Sequence, residues 1–253
     1  GLPYRTPQSL ADDMASDFSQ LPHDLLKAVD TLSIRLMAVH EEFLSILPSD
    51  LSCTEAAVST RFVPVTRVGV YIPSGLPSSL ITYLAAIKAA KVRDPLIYIG
   101  QNEAGSLDPL TLYVAKKFGV SVIGGPARLA FPLLAYGGLG IEGCDLISGP
   151  CGYNLNVLKH VSALMAGCVA DMHAGPSNIV VILEGNDYQR QAIDDLLSQL
   201  EHGPDSSGII VVIGNKGKNV LSDSELSQFP NARVRYATDV DNAVNICLLY
   251  TSD

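Results

Sequence analysis

Two side chains in the stretch LLSQLEHG (196–203) stand where a metal could be held. Gln199 and His202 are three residues apart on a predicted helix, so both project from one face near its end. An imidazole nitrogen suits zinc, and an amide oxygen is an uncommon further ligand. The same spacing also describes a histidine that meets the helix dipole or is simply solvated. A second pattern, at 138–143, reads GLGIEG and has the form GxGxxG. A dinucleotide fingerprint needs a strand before it and a helix opening at its end. Here a predicted helix ends at Tyr136 and a strand begins at Cys144, so the order is reversed. The pattern is read as a glycine-rich loop.

Other reactive side chains have plainer readings. His173 is a loop histidine beside the segment AGPS. Lys159 and His160 are read as ending a helix, where positive charge favours the dipole. Arg128 is a surface cation. Asp194 and Asp195 form the solvated, acidic part of the helix that carries Gln199. The cysteines Cys53, Cys144, Cys151, Cys168 and Cys247 are odd in number and contain no CxxC pair. They read as reduced thiols packed as small apolar residues, which fits a reducing compartment and a cytoplasmic protein.

The elements that must position these groups alternate. Leu25, Val29, Leu32, Leu36 and Val39 mark a helix within 9–48, and 49–60 reads as a loop. Strands are predicted at 67–73, 95–100, 120–124, 144–149 and 168–172. Helices are predicted at 78–92, 108–118, 127–136 and 153–166, the third kinked or broken by Pro132. A second series follows: strands at 178–185, 208–214 and 233–237, with helices at 187–201, 222–228 and 239–248. Strands that are apolar throughout, each followed by a helix, imply parallel sheets covered on both faces. The predicted fold class is α/β with two Rossmann-like parallel-sheet domains.

Composition excludes several classes. The net charge of −9, with no Lys/Arg-rich run, argues against nucleic acid as a partner. The apolar runs are short and interrupted, so no membrane span is expected. With 47% apolar residues the chain has the means to build a core.

The block DMHAGPSN (171–178), followed by a strand and then LLSQLEHGPD, resembles the histidinol dehydrogenase family. RVGVYIPSG (67–75), GVSVIGGPARLAFPLLAYG (119–137) and CDLISGP (144–150) fall in the family's order, and the likeness runs over about 20–247. The resemblance implies an aldehyde/histidinol dehydrogenase-like architecture. Its zinc and substrate side would be formed by 1–68 plus 179–253, and its NAD side by 69–178. It implies zinc bound by Gln199 and His202, substrate contact by Ser177 and NAD contact by Tyr71. The activity it implies is oxidation of histidinol to histidine through histidinal with two NAD, by a homodimer acting on a histidinol-like amino alcohol. The family's Glu-His pair, which serves as water activator and base, would fall beyond Asp253. No catalytic acid or base is therefore assigned within this chain, and it is expected to be a shortened member that is inactive alone.

Several segments depart from the family pattern. The turn Pro73-Ser74-Gly75-Leu76-Pro77 is shorter. Gly124-Gly125-Pro126-Ala127-Arg128 lacks the family's NAD-contacting glutamine. Gly149-Pro150-Cys151-Gly152-Tyr153 has Gly152 where the family has asparagine, and Asn178 replaces an acid. Two alternatives stay open: a zinc- and NAD-dependent dehydrogenase of another polar alcohol, and a non-catalytic binding or oligomerisation module.

Overall fold

A computed structural model describes residues 18–47, 50–53, 55–138, 140–172, 178–184, 189–200, 206–214 and 228–250. The chain divides into two compact units, Gly1–His173 and Ala174–Asp253.

The first unit is built on five parallel strands in the order β5-β4-β3-β8-β9: β3 (Arg67–Ile72), β4 (Asp94–Gly100), β5 (Ser121–Gly125), β8 (Leu146–Ser148) and β9 (Val169–Ala170). Side chains alternate across it, as the two-residue strand period requires. Val68, Val70, Ile72, Ile97 and Ile99 meet Leu80, Leu84 and Leu112 on one face, whereas Tyr71, Leu96, Tyr98, Ile123 and Ile147 meet Phe131, Leu134 and Ala163 on the other. The first face is covered by α2 (Pro77–Ala89) and α3 (Pro109–Phe118), the second by α4 (Ala130–Tyr136) and α5 (Tyr153–Ala166). α1 (His23–Ile46) packs against α2 and contributes Val29 to that core.

Local chemistry sets the helix ends. Both α2 and α3 open on proline, whose missing N–H costs nothing in a first turn. The carboxylate of Asp108 caps α3, accepting from the Thr111 amide at 2.8 Å and its hydroxyl at 2.6 Å. Gly119 and Gly167 end α3 and α5 in the left-handed conformation. Arg67 ties the amino end of the central strands: it pairs with Asp94 at 3.1 Å and Glu142 at 2.7 Å, and its amide donates to Asp145 at 2.9 Å.

Two expectations need correction. Residues 49–60 are not a loop throughout: β1 (Asp50–Cys53) and β2 (Val58–Arg61) pair antiparallel. The residues of β2 are all exposed, so no apolar alternation announced the strand. Pro132 does not break a helix at its own position. The interruption falls earlier, where a single 3-10 turn (Ala127–Leu129) leads into α4, leaving Pro132 in the first turn where its N–H is not needed. The described residues of the GxGxxG segment do not lead from a strand into a helix. They take part in a tiny antiparallel ladder of β6 (Gly137–Gly138) and β7 (Ile141–Glu142), and a Cβ on Gly137 would lie 2.5 Å from the Ile141 carbonyl oxygen.

The second unit holds a three-stranded parallel sheet, β10 (Asn178–Glu184), β11 (Ser207–Ile213) and β12 (Ala232–Ala237), in that order. α6 (Gln189–Leu200) packs Ile193, Leu196 and Leu200 with Ile210 and Val212. α7 (Val240–Tyr250) packs Ala243 with Ile209 and Val211 on the other face. The predicted helix at 222–228 lies outside the described residues, apart from its last position.

Candidate cofactor crevice

In the first unit the chain runs from β3 outward through β4 to β5, then returns to place β8 and β9 on the other side of β3. Strand order therefore reverses between β3 and β8. Open parallel sheets bind ligands at the carboxyl ends of the strands at such a point. Here the crevice is bounded by the turn 73–76 before α2 and the turn 149–152 before α5.

The two strands come unusually close at this edge. Gly149 has φ 141°, and a Cβ there would overlap the Tyr71 carbonyl oxygen and lie 3.0 Å from the Tyr71 carbonyl carbon and nitrogen. Only glycine fits. Gly152 then stands at the N-cap of α5 with no side-chain cap, leaving the first amides of the helix uncovered by its own chain. Such an end favours negative charge, so the crevice suits a ligand that carries phosphates.

Tyr71 is 4% exposed. Its ring meets Phe131 edge-on at 5.5 Å and Tyr98 at 6.2 Å. Its hydroxyl lies toward Gly100, at the carboxyl end of β4, where a Cβ would come within 3.1 Å. Burial, with a smaller contribution from Cys151, pushes its pKa up to about 12, so it stays protonated at neutral pH. What it presents to the carboxyl edge is a phenolic donor, with the ring held in the core. Arg128 is exposed on the 3-10 turn after β5.

A polar group that was not read from the sequence lies beneath this crevice. Lys159, 1% exposed, pairs through Nζ with Asp171 Oδ1. Asp171 Oδ2 accepts from the Ser148 hydroxyl and, at 3.2 Å, from the Gly149 amide. Tyr83 of α2 lies near this group; its pKa is raised first by burial, with neighbouring Ser148 lowering it in part. Lys159 is thus not at a helix end, as expected, but in the middle of α5. A signal was present: Asn156, Lys159 and Ser162 recur at a spacing of three, and all are buried, while Val157, Val161 and Leu164 on the same helix are exposed. α5 turns its polar stripe inward.

In the second unit Gln199 occupies the last turn of α6 beside the buried Leu196 and Leu200, itself partly exposed. Ser177, His202 and His173 lie outside the described residues. Asp194 and Asp195 are exposed, and Asp194 pairs with Arg190 at 2.6 Å one turn away, consistent with a solvated helix face. Asn178 accepts from the Ser207 hydroxyl at 2.7 Å and amide at 3.3 Å, so its carboxamide ties the start of β10 to β11. Among the described residues no group of three or more His, Cys, Asp or Glu side chains could hold a metal. Gln199 and His202 alone are too few for a tight zinc site, which takes three or four protein ligands.

The sequence profile of histidinol dehydrogenase matches residues 5–235. The chain belongs to the histidinol dehydrogenase family. It is 30% identical to the histidine biosynthesis trifunctional protein of Komagataella pastoris over 92% of this chain and 27% of that protein. It is 29% identical to the histidinol dehydrogenase of Campylobacter jejuni over 96% of this chain and 60% of that enzyme. The solved structure of histidinol dehydrogenase from Elizabethkingia anophelis superposes with a TM-score of 0.76 at 23% identity, covering 95% of this chain and 59% of that one. That likeness bears out the expected α/β class with parallel sheets. The chain spans no more than about three-fifths of these relatives' own length.

Proposed function

We propose that this chain forms the NAD-side and part of the substrate-side of a histidinol dehydrogenase, oxidising L-histidinol to L-histidine through histidinal. The observation that carries the reading is the family match over 5–235 combined with a glycine-lined crevice at the switch point of the first sheet. When bound, NAD supplies the hydride acceptor. The backbone amides of Cys151, Gly152 and the first turn of α5 would hold it, with the Tyr71 hydroxyl as a protonated donor at the same edge. Ser177, Gln199 and His202 are proposed to contact substrate, the last two also holding zinc.

The second sheet, from 179 on, is proposed as the zinc and substrate side together with 1–68, and 69–178 as the NAD side, in the complete protein. A homodimer in the cytoplasm is proposed on the same family grounds. Among the described residues no helix is long and apolar enough to cross a membrane. A second reading, oxidation of another amino alcohol, is favoured by Asn178: a neutral carboxamide committed to Ser207 stands where the family has an acid.

The test is NADH formation from histidinol with added zinc. The purified 253-residue chain alone is expected to produce none, because it carries two of the zinc ligands and no assigned base. A version carrying the C-terminal part of the Campylobacter jejuni relative is expected to prefer histidinol over other amino alcohols. NADH from the chain alone would refute the division of the site, and preference for a different alcohol would replace the substrate.

A further inference from the structure

The network formed by Lys159, Asp171 and Ser148 is an expensive arrangement in a place where packing alone would do. A lysine 1% exposed costs a large desolvation free energy unless it is paired and fully hydrogen-bonded. α5 faces the core with Asn156, Lys159 and Ser162, although apolar residues are available at Val157 and Val161 on its outer side. Asp171 follows β9 immediately, and its own amide donates to Ile147 at 3.1 Å, which fixes where the carboxylate stands. From there the carboxylate reaches the last residue of β8 and the first amide of the turn that follows it.

We propose that Lys159 and Asp171 are positioning residues that clamp the turn 149–152, and through it the start of α5, in the conformation that receives the dinucleotide. The proposal rests on the NAD-side reading of this crevice. Lys159 is held by Asp171 and lies 5.9 Å from the Phe131 ring centroid, behind the sheet edge, so its charge serves to orient the carboxylate. The carboxylate has one oxygen for the ammonium and one for the turn. Gly149 cannot find a substitute conformation easily, since its backbone already touches that of Tyr71. One carboxylate therefore ties the end of β8 and the turn that follows it to Lys159 of α5.

The test compares the chain with two double variants. Lys159→Met with Asp171→Ala removes the pair and the acceptor together, avoiding an unpaired buried charge. Lys159→Met with Asp171→Asn removes the charges but restores an acceptor oxygen for the Gly149 amide. Two readouts are taken on each: hydrogen exchange of the amides of 148, 149 and 151–153, and affinity for NAD. The Ala-containing variant is expected to keep its circular dichroism and the exchange protection of β4. It is also expected to exchange the Gly149 amide faster and bind NAD roughly tenfold more weakly, as for loss of a hydrogen bond to a charged group. The Asn-containing variant is expected to recover most of both. Equal exchange and equal NAD affinity in all three proteins would overturn the clamp while leaving the NAD reading intact. Failure of the unaltered chain to bind millimolar NAD would overturn the NAD reading, and with it the clamp's purpose, even if Gly149 exchange changed as expected.

Discussion

Gly149→Ala isolates the tightest point of the switch-point crevice. The residue sits at φ 141°, a backbone conformation that an L side chain adopts at a cost of about 1–3 kcal/mol. The added methyl would also overlap the Tyr71 carbonyl oxygen and press on the carbonyl carbon and nitrogen at 3.0 Å, all of them backbone atoms of a central strand. Relief requires β3 and the end of β8 to separate, an overpacking cost of about another 1–3 kcal/mol. The sum is on the order of 4 kcal/mol, a large share of the stability of a domain of this size. Gly75→Ala is the internal control: φ is 79°, but nothing lies within 4 Å of the new Cβ, so about 1 kcal/mol of backbone strain is all it meets. The chain has ten tyrosines and no tryptophan, so urea unfolding is followed by tyrosine fluorescence and near-ultraviolet circular dichroism. With a urea slope of about 2–3 kcal/mol/M, the Gly149 variant should lose roughly 1.5 M in midpoint and the Gly75 variant well under half of that. Equal midpoints for the two variants would refute the close approach of Tyr71 and Gly149.

Alkaline pH should weaken the first unit. Burial pushes the Cys144 thiol from 9.0 up to about 12 and the Tyr71 phenol from 10.0 up to about 12. Both raised values mean the folded chain holds protons that the unfolded chain releases. Their stabilising contribution is complete below about pH 9 and is lost as pH rises toward 12. By about pH 10.5 the thiol alone should remove on the order of 2 kcal/mol, and Cys144→Ala should flatten that part of a stability-against-pH curve. A curve of unchanged slope in the Cys144→Ala protein would contradict the burial. Asp108→Ala should destabilise by about 1 kcal/mol, since it strands the Thr111 amide at the start of α3; chemical denaturation reads it, and Asp108→Asn should restore most of the loss.

Much of this arrangement was legible in the sequence. VGVYI, IVVIL and GIIVVI are continuous apolar runs of strand length, and each lies in a parallel strand. Asp108-Pro109 and Gly119 bracket α3 because a cap, a proline and a left-handed glycine each have one physical use at those positions. The β1–β2 hairpin was not legible, because a ladder whose second strand is wholly exposed leaves no apolar pattern. Of the site, Tyr71 was found only by resemblance, and its burial between Phe131 and Tyr98 depends on contacts far apart in sequence. Lys159 and Asp171 were missed for a related reason. A lysine is ordinarily solvated, and only the return of β9 beside β8 brings Asp171 to it. The glycine pattern at 138–143 could be set aside from sequence, since the fingerprint's meaning lies in the strand before it and the helix after it.

The central claim is that the switch point of the first sheet is the dinucleotide side of this family member. Chemical-shift mapping on the isotopically labelled chain with millimolar NAD tests it most directly. The account predicts saturable shifts at the amides of 72, 74, 75, 149 and 151–153, and at no comparable level in β10–β12. Saturable shifts confined to the second sheet, or none at all in a well-folded sample, would contradict it.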